Sequence, residues 1–139
     1  MHETVCIEAV RPDSLLERVK TEMRRHTESH VHWEQYAELT VVARNAAGEV
    51  AGALFGETGR GWLHLSVVWV DEASRGKGLG RELVAVAEAE GRRRNCSGVY
   101  LDTFSYQGPG FYEKLGYEVF GVLEDYPPGH KRFYMRKAL

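Results

Sequence analysis

Three glycines in five residues, Gly76, Gly78 and Gly80, stand where a strand pattern gives way to a helix pattern. Upstream, the run from Trp62 to Val70 (WLHLSVVWV) is rich in β-branched and aromatic residues. Simple alternation puts Leu63, Leu65, Val67 and Trp69 on one face and His64, Ser66, Val68 and Val70 on the other. Downstream, Leu79, Leu83, Val86 and Ala87 fall on one stripe of a helix reaching Glu90. Glycines weaken a helix start unless something must approach the backbone closely. The first helical turn also carries unpaired N–H groups and the positive end of the macrodipole, a natural anion site. Arg75, Lys77 and Arg81 add positive charge around it. The stretch reads as a strand, a tight turn and a helix that together cradle a phosphate or pyrophosphate.

The pattern excludes two common phosphate binders. No Gly-Lys pair is followed by Ser or Thr, so the Walker loop is absent, and Arg81 stands where GxGxxG needs its third glycine. What fits is Arg-x-x-Gly-x-Gly at Arg75, Gly78 and Gly80, which resembles the acyl-CoA pyrophosphate loop of the GNAT superfamily of N-acetyltransferases. A second segment, Phe111-Tyr112-Glu113-Lys114-Leu115-Gly116-Tyr117, is similar to the FYxKxGF stretch that follows the fifth strand in that family. The resemblance covers most of the chain from Glu38 onward, and the first third matches in layout only. The chain departs from the family where an asparagine and an alanine often precede the tyrosine: Ser105 and Gly108 stand there, and Ser105 or Gln107 is the substitute for the asparagine's contact with the CoA arm.

The rest of the chain supports an α/β fold. Thr4 to Val10 reads as a first strand, and Ser14-Leu15-Leu16-Glu17 as a capping box opening a helix whose apolar stripe is Leu15, Leu16, Val19 and Met23. His26 to Tyr36 loses the pattern, as a short helix or a loop. Leu39–Arg44 and Val50–Phe55 form a hairpin around Asn45–Gly48, and a loop over Gly56–Gly61 leads to the central strand. Gly98–Thr103 is a further strand, and Pro109 suits the first turn of a short helix that Gly116 ends. Tyr117–Leu123 and Arg132–Arg136 are the last strands. The order implies a GNAT-like mixed central sheet: N-terminal strands antiparallel, a parallel pair splayed at the acyl-CoA site, helices flanking it. One domain over residues 1–139 is expected.

Composition excludes other classes. A net charge of −2 gives no general affinity for nucleic acid, and Arg92-Arg93-Arg94 reads as the solvated last turn of a helix. No apolar run approaches a membrane span and no secretory leader is visible. Cys6 and Cys96 have neither metal spacing nor a disulfide framework, which points to a reducing, cytoplasmic compartment. His26, His30 and His32 lack the carboxylate or cysteine that would complete a metal site, so no metal is expected.

The resemblance implies the chemistry. Acetyl-CoA is the cosubstrate, and a primary amine of a small molecule is the acceptor. Trp69 and Val70 would meet the pantetheine arm through their backbone. Gly76, Lys77, Gly78, Gly80 and Arg81, with Arg75, would hold the pyrophosphate, and Ser105 would contact the arm. Tyr112 would protonate the departing sulfur. His64 is the first candidate for the base; Asp102, Glu28 and Glu34 are alternatives as base or amine anchor. His30, His32, Trp33 and Tyr36, with Tyr126 to His130 opposite, would wall the acceptor. The resemblance also allows a homodimer. Two other readings stay open: a protein or peptide acetyltransferase, and an acyl-CoA-binding module without catalysis.

Overall fold

The computed structural model describes residues 2–139, which divide into two compact units, one up to Glu34 and one over residues 35–139. The larger unit is built on a six-stranded sheet in the order β1-β2-β3-β4-β6-β5. Its strands are β1 (Ala37–Arg44), β2 (Val50–Gly59), β3 (Trp62–Val70), β4 (Gly98–Phe104), β5 (Glu118–Glu124) and β6 (Lys131–Ala138). Helices α2 (Leu79–Arg93) and α3 (Pro109–Lys114) make the two crossovers. Among the described residues β3 and β4 are the one parallel pair of neighbours; the other neighbouring pairs are antiparallel.

The hairpin from β2 to β3 is longer than the glycines of Gly56–Gly61 suggest. β2 continues through Gly56 to Gly59, and the turn is only Arg60-Gly61, both at positive φ (53° and 81°). That is the backbone twist a two-residue hairpin loop requires.

Helix α2 covers one face of the sheet. Its inward residues are Leu83, Val84, Ala87, Glu88 and Gly91, whereas Val86 is exposed. Adjacent turns thus supply i, i+1, i+4, i+5 and i+8 to the sheet, a wider face than the stripe expected from the apolar residues alone. Opposite lie Leu39, Leu54, Leu63, Leu65, Val99, Leu101 and Met135, all in one buried cluster. Of the basic run at the helix end, Arg94 is not simply solvated. Its guanidinium donates to the Ala37 and Glu38 carbonyls and to Thr58 Oγ1 at 3.1–3.3 Å, tying the helix end to β1 and β2.

One irregularity in β3 reorganises the sheet. Phe55 pairs with Val67 but Gly56 pairs with Leu65, so Ser66 is an extra residue with no partner in β2. A bulge of this kind flips the alternation beyond it. Leu63 and Leu65 face the core before it; after it Val68 and Val70 do, while Val67 and Trp69 turn outward and are half-exposed. The alternation expected from the sequence therefore holds to Leu65 and is reversed from Val67 onward. Gly56 is what lets the strands close at this point, because a Cβ there would collide with the His64 carbonyl.

The smaller unit holds α1 (Asp13–Glu28). It starts after Pro12, whose carbonyl accepts the Leu16 N–H at 3.1 Å, so Ser14 lies inside the first turn and cannot act as the expected cap. Thr4–Val10 is irregular, not a strand. An extended segment becomes a strand only when a neighbour takes its backbone groups, and this one has no ladder partner among the described residues. Beyond Glu28 the chain leaves the helix in a turn, and residues 31–34 form no helix.

Gly56→Ala is expected to lower stability by about 1–3 kcal/mol, because the strands must part at the bulge to admit the methyl group. Urea unfolding measures this, and an unchanged midpoint would show that the strands do not approach so closely.

Candidate active site

The parallel pair β3–β4 is short. It runs through Trp62–Gly98, Leu63–Val99 and His64–Tyr100, and past that point the two strands separate. The bulge at Ser66 lies two residues past the last pair, and the gap leaves the β4-facing backbone groups of β3 without a ladder. A cavity of 640 Å³ fills the gap. Ser66 to Val70 form one wall, Asp102 and Thr103 the other, and Arg75, Gly80, Gln107, Phe111 and Tyr112 its ends.

A second cavity of 360 Å³ lies at the start of α2 and shares Val70, Arg75, Gly80 and Phe111 with the first. Gly76, Gly78 and Arg81 also line it. Gly76 and Gly78 have φ of 80° and 81°, and a Cβ on either would meet nothing within 4 Å. They are glycine for backbone conformation, not for want of room: the space over the loop is open. Gly80 differs, since a Cβ there would stand 3.2 Å from the Phe111 ring. Arg75 donates from Nε to the Val70 carbonyl at 3.0 Å, which pins the loop to the end of β3. A bent loop of open N–H groups, a helix start and two guanidinium groups form a site suited to a diphosphate.

Tyr112, on α3, lines the larger cavity, and burial pushes its phenol up to about 12. Its ring meets that of Tyr117 edge to face at 5.7 Å. Tyr117 in turn donates its hydroxyl to Glu88 at 3.1 Å, and Lys137 donates to both Glu88 oxygens at 3.0 Å. The α2 carboxylate is nearly buried, so it is tolerable only because a cation and a hydroxyl meet it. Burial, then the Glu88 charge, raise the Tyr117 phenol still further. A fixed, paired charge network thus backs the ring on which Tyr112 rests.

Asp102 is the acidic side chain of the larger cavity. Arg132 binds it through Nε and an Nη, both 2.8 Å from the same oxygen, Oδ2. Arg132 is held in turn over Phe104, Tyr126 and Tyr134, at 4.9–5.4 Å from the ring centres. The carboxylate is therefore fixed in direction, with one oxygen committed to Arg132.

The structure brings together Trp69, Val70, Arg75, Gly76, Gly78, Gly80, Arg81 and Tyr112 around the two joined cavities. Three other residues singled out from the sequence stand apart. Lys77 lines neither cavity. Ser105 is occupied elsewhere: its hydroxyl accepts the Lys131 N–H at 3.0 Å and lies 3.4 Å from His130 Nδ1, fastening the end of β4 to β6. Gln107 does line the cavity, with Oε1 accepting from the Phe104 N–H at 3.1 Å. His64 lies below the gap, stacked on Tyr100 at 4.6 Å with Nδ1 3.8 Å from Glu57 Oε1. His26 and His30 meet edge to face at 4.8 Å within the smaller unit. Phe111 and Thr103 also line the cavity; Phe111 opens the FYxKxGF-like segment but was given no contact there, and nothing in the sequence around Thr103 marked it.

Residues 7–117 match the family model described as Acetyltransferase (GNAT) family. A blasticidin-S acetyltransferase of Streptomyces morookaense is 46% identical over 93 residues, covering 66% of this chain and 68% of its own. The crystal structure of an acetyltransferase from Bacillus cereus ATCC 14579 superposes with a TM-score of 0.88 at 31% identity, over 97% of this chain and 98% of that one. The fold is shared as well by an aminoglycoside 6′-N-acetyltransferase solved with coenzyme A, at a TM-score of 0.65 and 22% identity, over 91% and 81% of the two chains.

An ultraviolet difference titration of the protein against its Tyr112→Phe variant should show one phenol titrating near 12, not near the ordinary value of about 10. A difference spectrum midway at about 10 would place Tyr112 in contact with bulk water.

Proposed function

Since the chain belongs to the GNAT family of acetyltransferases, we propose that it transfers the acetyl group of acetyl-CoA to a primary amine of a small molecule. The observation that carries this reading is the continuity of the two cavities: an anion cradle at the start of α2 opens into the gap between β3 and β4. A small-molecule acceptor is supported by the Streptomyces relative, named for acetylating blasticidin S.

The residues divide the work. Gly76, Gly78, Gly80, Arg75 and Arg81 bind the diphosphate. The free backbone edge of β3 receives the pantetheine arm, and an N–H of that edge polarises the thioester carbonyl as charge builds on its oxygen. Asp102 takes the acceptor nitrogen. Its fixed carboxylate attracts the ammonium form, which gives up one proton to water; the carboxylate then orients the neutral amine and takes the second proton, released as the N–C bond forms, passing it to water as well. His64 lies off the cavity and is left a packing role beneath Tyr100.

Tyr112 faces the sulfur as the C–S bond breaks. A phenol at about 12 is a weaker acid than a thiol of about 8.5, so full transfer of its proton to the thiolate runs uphill. Tyr112 acts instead by donating a hydrogen bond to the sulfur, which leaves as a thiolate and takes its proton from water on release. The buried phenol stays protonated through the neutral range and can always donate.

Thiol release from acetyl-CoA across a panel of amines tests the assignment. The panel holds aliphatic and arylalkyl amines, polyamines, aminoglycosides, nucleoside amines and lysine peptides. Turnover on one small-molecule class is expected. Turnover on peptides alone would replace the acceptor class, and tight acetyl-CoA binding without turnover on any would favour a binding module.

Gly80→Glu should abolish acetyl-CoA binding measured by calorimetry, since the added side chain collides with Phe111 and brings a negative charge to the cradle. Unchanged affinity would remove the diphosphate assignment.

Tyr112→Phe should lower kcat by about 100-fold, the scale of losing one donor to developing charge, with acetyl-CoA affinity kept. Full activity would return Tyr112 to packing.

A further inference from the structure

A third cavity, of 320 Å³, lies on the sheet face away from α2 and is lined by Trp62, Tyr100, Phe120 and Arg136. Three aromatic rings and a guanidinium on an open face need a reason. Trp62 lies down across β4 because residue 98 is glycine; a Cβ there would enter the indole ring. Phe120 is turned out by a second bulge: Val119 pairs with Met135 and Gly121 with Tyr134, which leaves Phe120 as the extra residue. Trp62 and Phe120 are 40% and 49% exposed, so these large rings border the cavity without being consumed by the core. Tyr100 stands between, edge to face with Trp62 at 6.1 Å and stacked on His64 at 4.6 Å. Arg136 lies over Phe120 at 5.3 Å and gives Nε to Glu118 at 3.1 Å. Its fork of five N–H donors exceeds that one bond.

The cavity is next to the proposed transfer site. Tyr100 and Asp102 alternate on one face of β4, so their side chains stand about 7 Å apart along the strand. A molecule whose nitrogen rests on Asp102 would extend its other end over Tyr100.

We propose that this cavity is the distal half of the acceptor site, taking a flat aromatic or heteroaromatic ring that carries a carbonyl or carboxylate for Arg136, about 7 Å from the amine that is acetylated. The assignment rests on the acetyl-transfer reading for what happens at Asp102. The ring slides between Trp62, Tyr100 and Phe120, where stacking and apolar burial hold it. Arg136 reads the acceptor group on the ring edge, and His64 supports the Tyr100 ring from behind.

The test uses three amines with the wild-type protein: hexylamine, 4-phenylbutylamine and 4-(4-aminobutyl)benzoate. Calorimetry without acetyl-CoA should give affinities rising in that order, by at least about tenfold from first to last, a plausible yield for one stacked ring plus a charged contact. Phe120→Ala, at an exposed position that spares the core, should weaken both ring amines about fivefold and leave hexylamine unchanged. Arg136→Gln should remove only the preference for the carboxylate. Equal affinity for all three amines would overturn the proposal, as would a Phe120→Ala effect shared by hexylamine. A wild-type dimer that Phe120→Ala splits, seen by sedimentation, would also overturn it by assigning the rings to a second copy. The binding measurement is made without acetyl-CoA, so ring-selective binding without thiol release would strike the transfer reading and not the cavity.

Discussion

Everything at the site depends on one extra residue in one strand. If Ser66 had a partner in β2, β3 would run in register with β4 to its end and the ladder between them would close. The bulge turns the strand's direction after His64 and Tyr100, and the two strands part. Three things follow from the same turn. Main-chain groups of β3 are left free inside the molecule, Trp69 is rotated outward, and Val70 is rotated onto the core beside the glycine loop. A cavity with polar backbone walls normally costs stability; here the core on the α2 side, with its fully buried leucines and Met135, offsets it.

The charges are arranged around β6, the strand that fills the place between β4 and β5. Its side chains alternate, so Lys137 reaches down to Glu88 on the α2 side while Arg132 and Arg136 reach across the opposite face. One strand thereby fixes the carboxylate in the cavity wall and the carboxylate behind Tyr117. Neither pair is strong evidence for stability, because desolvation consumes much of the attraction. Their effect is directional. Asp102 is committed to Arg132 through one oxygen, and Tyr117 cannot rotate without leaving Glu88.

Local patterns were legible where a single residue type answers a single local demand. The glycine loop before α2, the prolyl start of α3 and the Gly116 that ends it could be read from the chain directly, although Gly76 and Gly78 answer a positive φ and not the close approach expected. What could not be read depends on a partner distant in sequence. The bulge is invisible in WLHLSVVWV, since nothing in those letters says that Gly56 will meet the His64 carbonyl. With the phase misplaced, the outward rotation of Trp69 and Val67 is lost too. Ser105 is polar and lies in the right segment, yet β6 claims its hydroxyl. His64 has the right chemistry on the right strand, and lies one pair too early to reach the gap. Asp102 is the reverse case: alternation at a strand end left its direction open, and Arg132 settles it. Thr4–Val10, read as a strand, has no partner strand among the described residues and makes none.

The position of β6 has a consequence for how the molecule is made. β4 is complete at Phe104, but its neighbour on that side begins only at Lys131, and the ladder between them joins residues as far apart as Gly98 and Ala138. During synthesis β4 therefore waits with one edge unpaired, and β5 emerges before the strand that must lie between them. Such an edge recruits other chains, and long-range closure of this kind is slow. The β4 wall of the cavity is consequently among the last parts to gain its neighbour. The loop at the start of α2 is thus complete in the nascent chain well before β6 exists to hold the far side of β4.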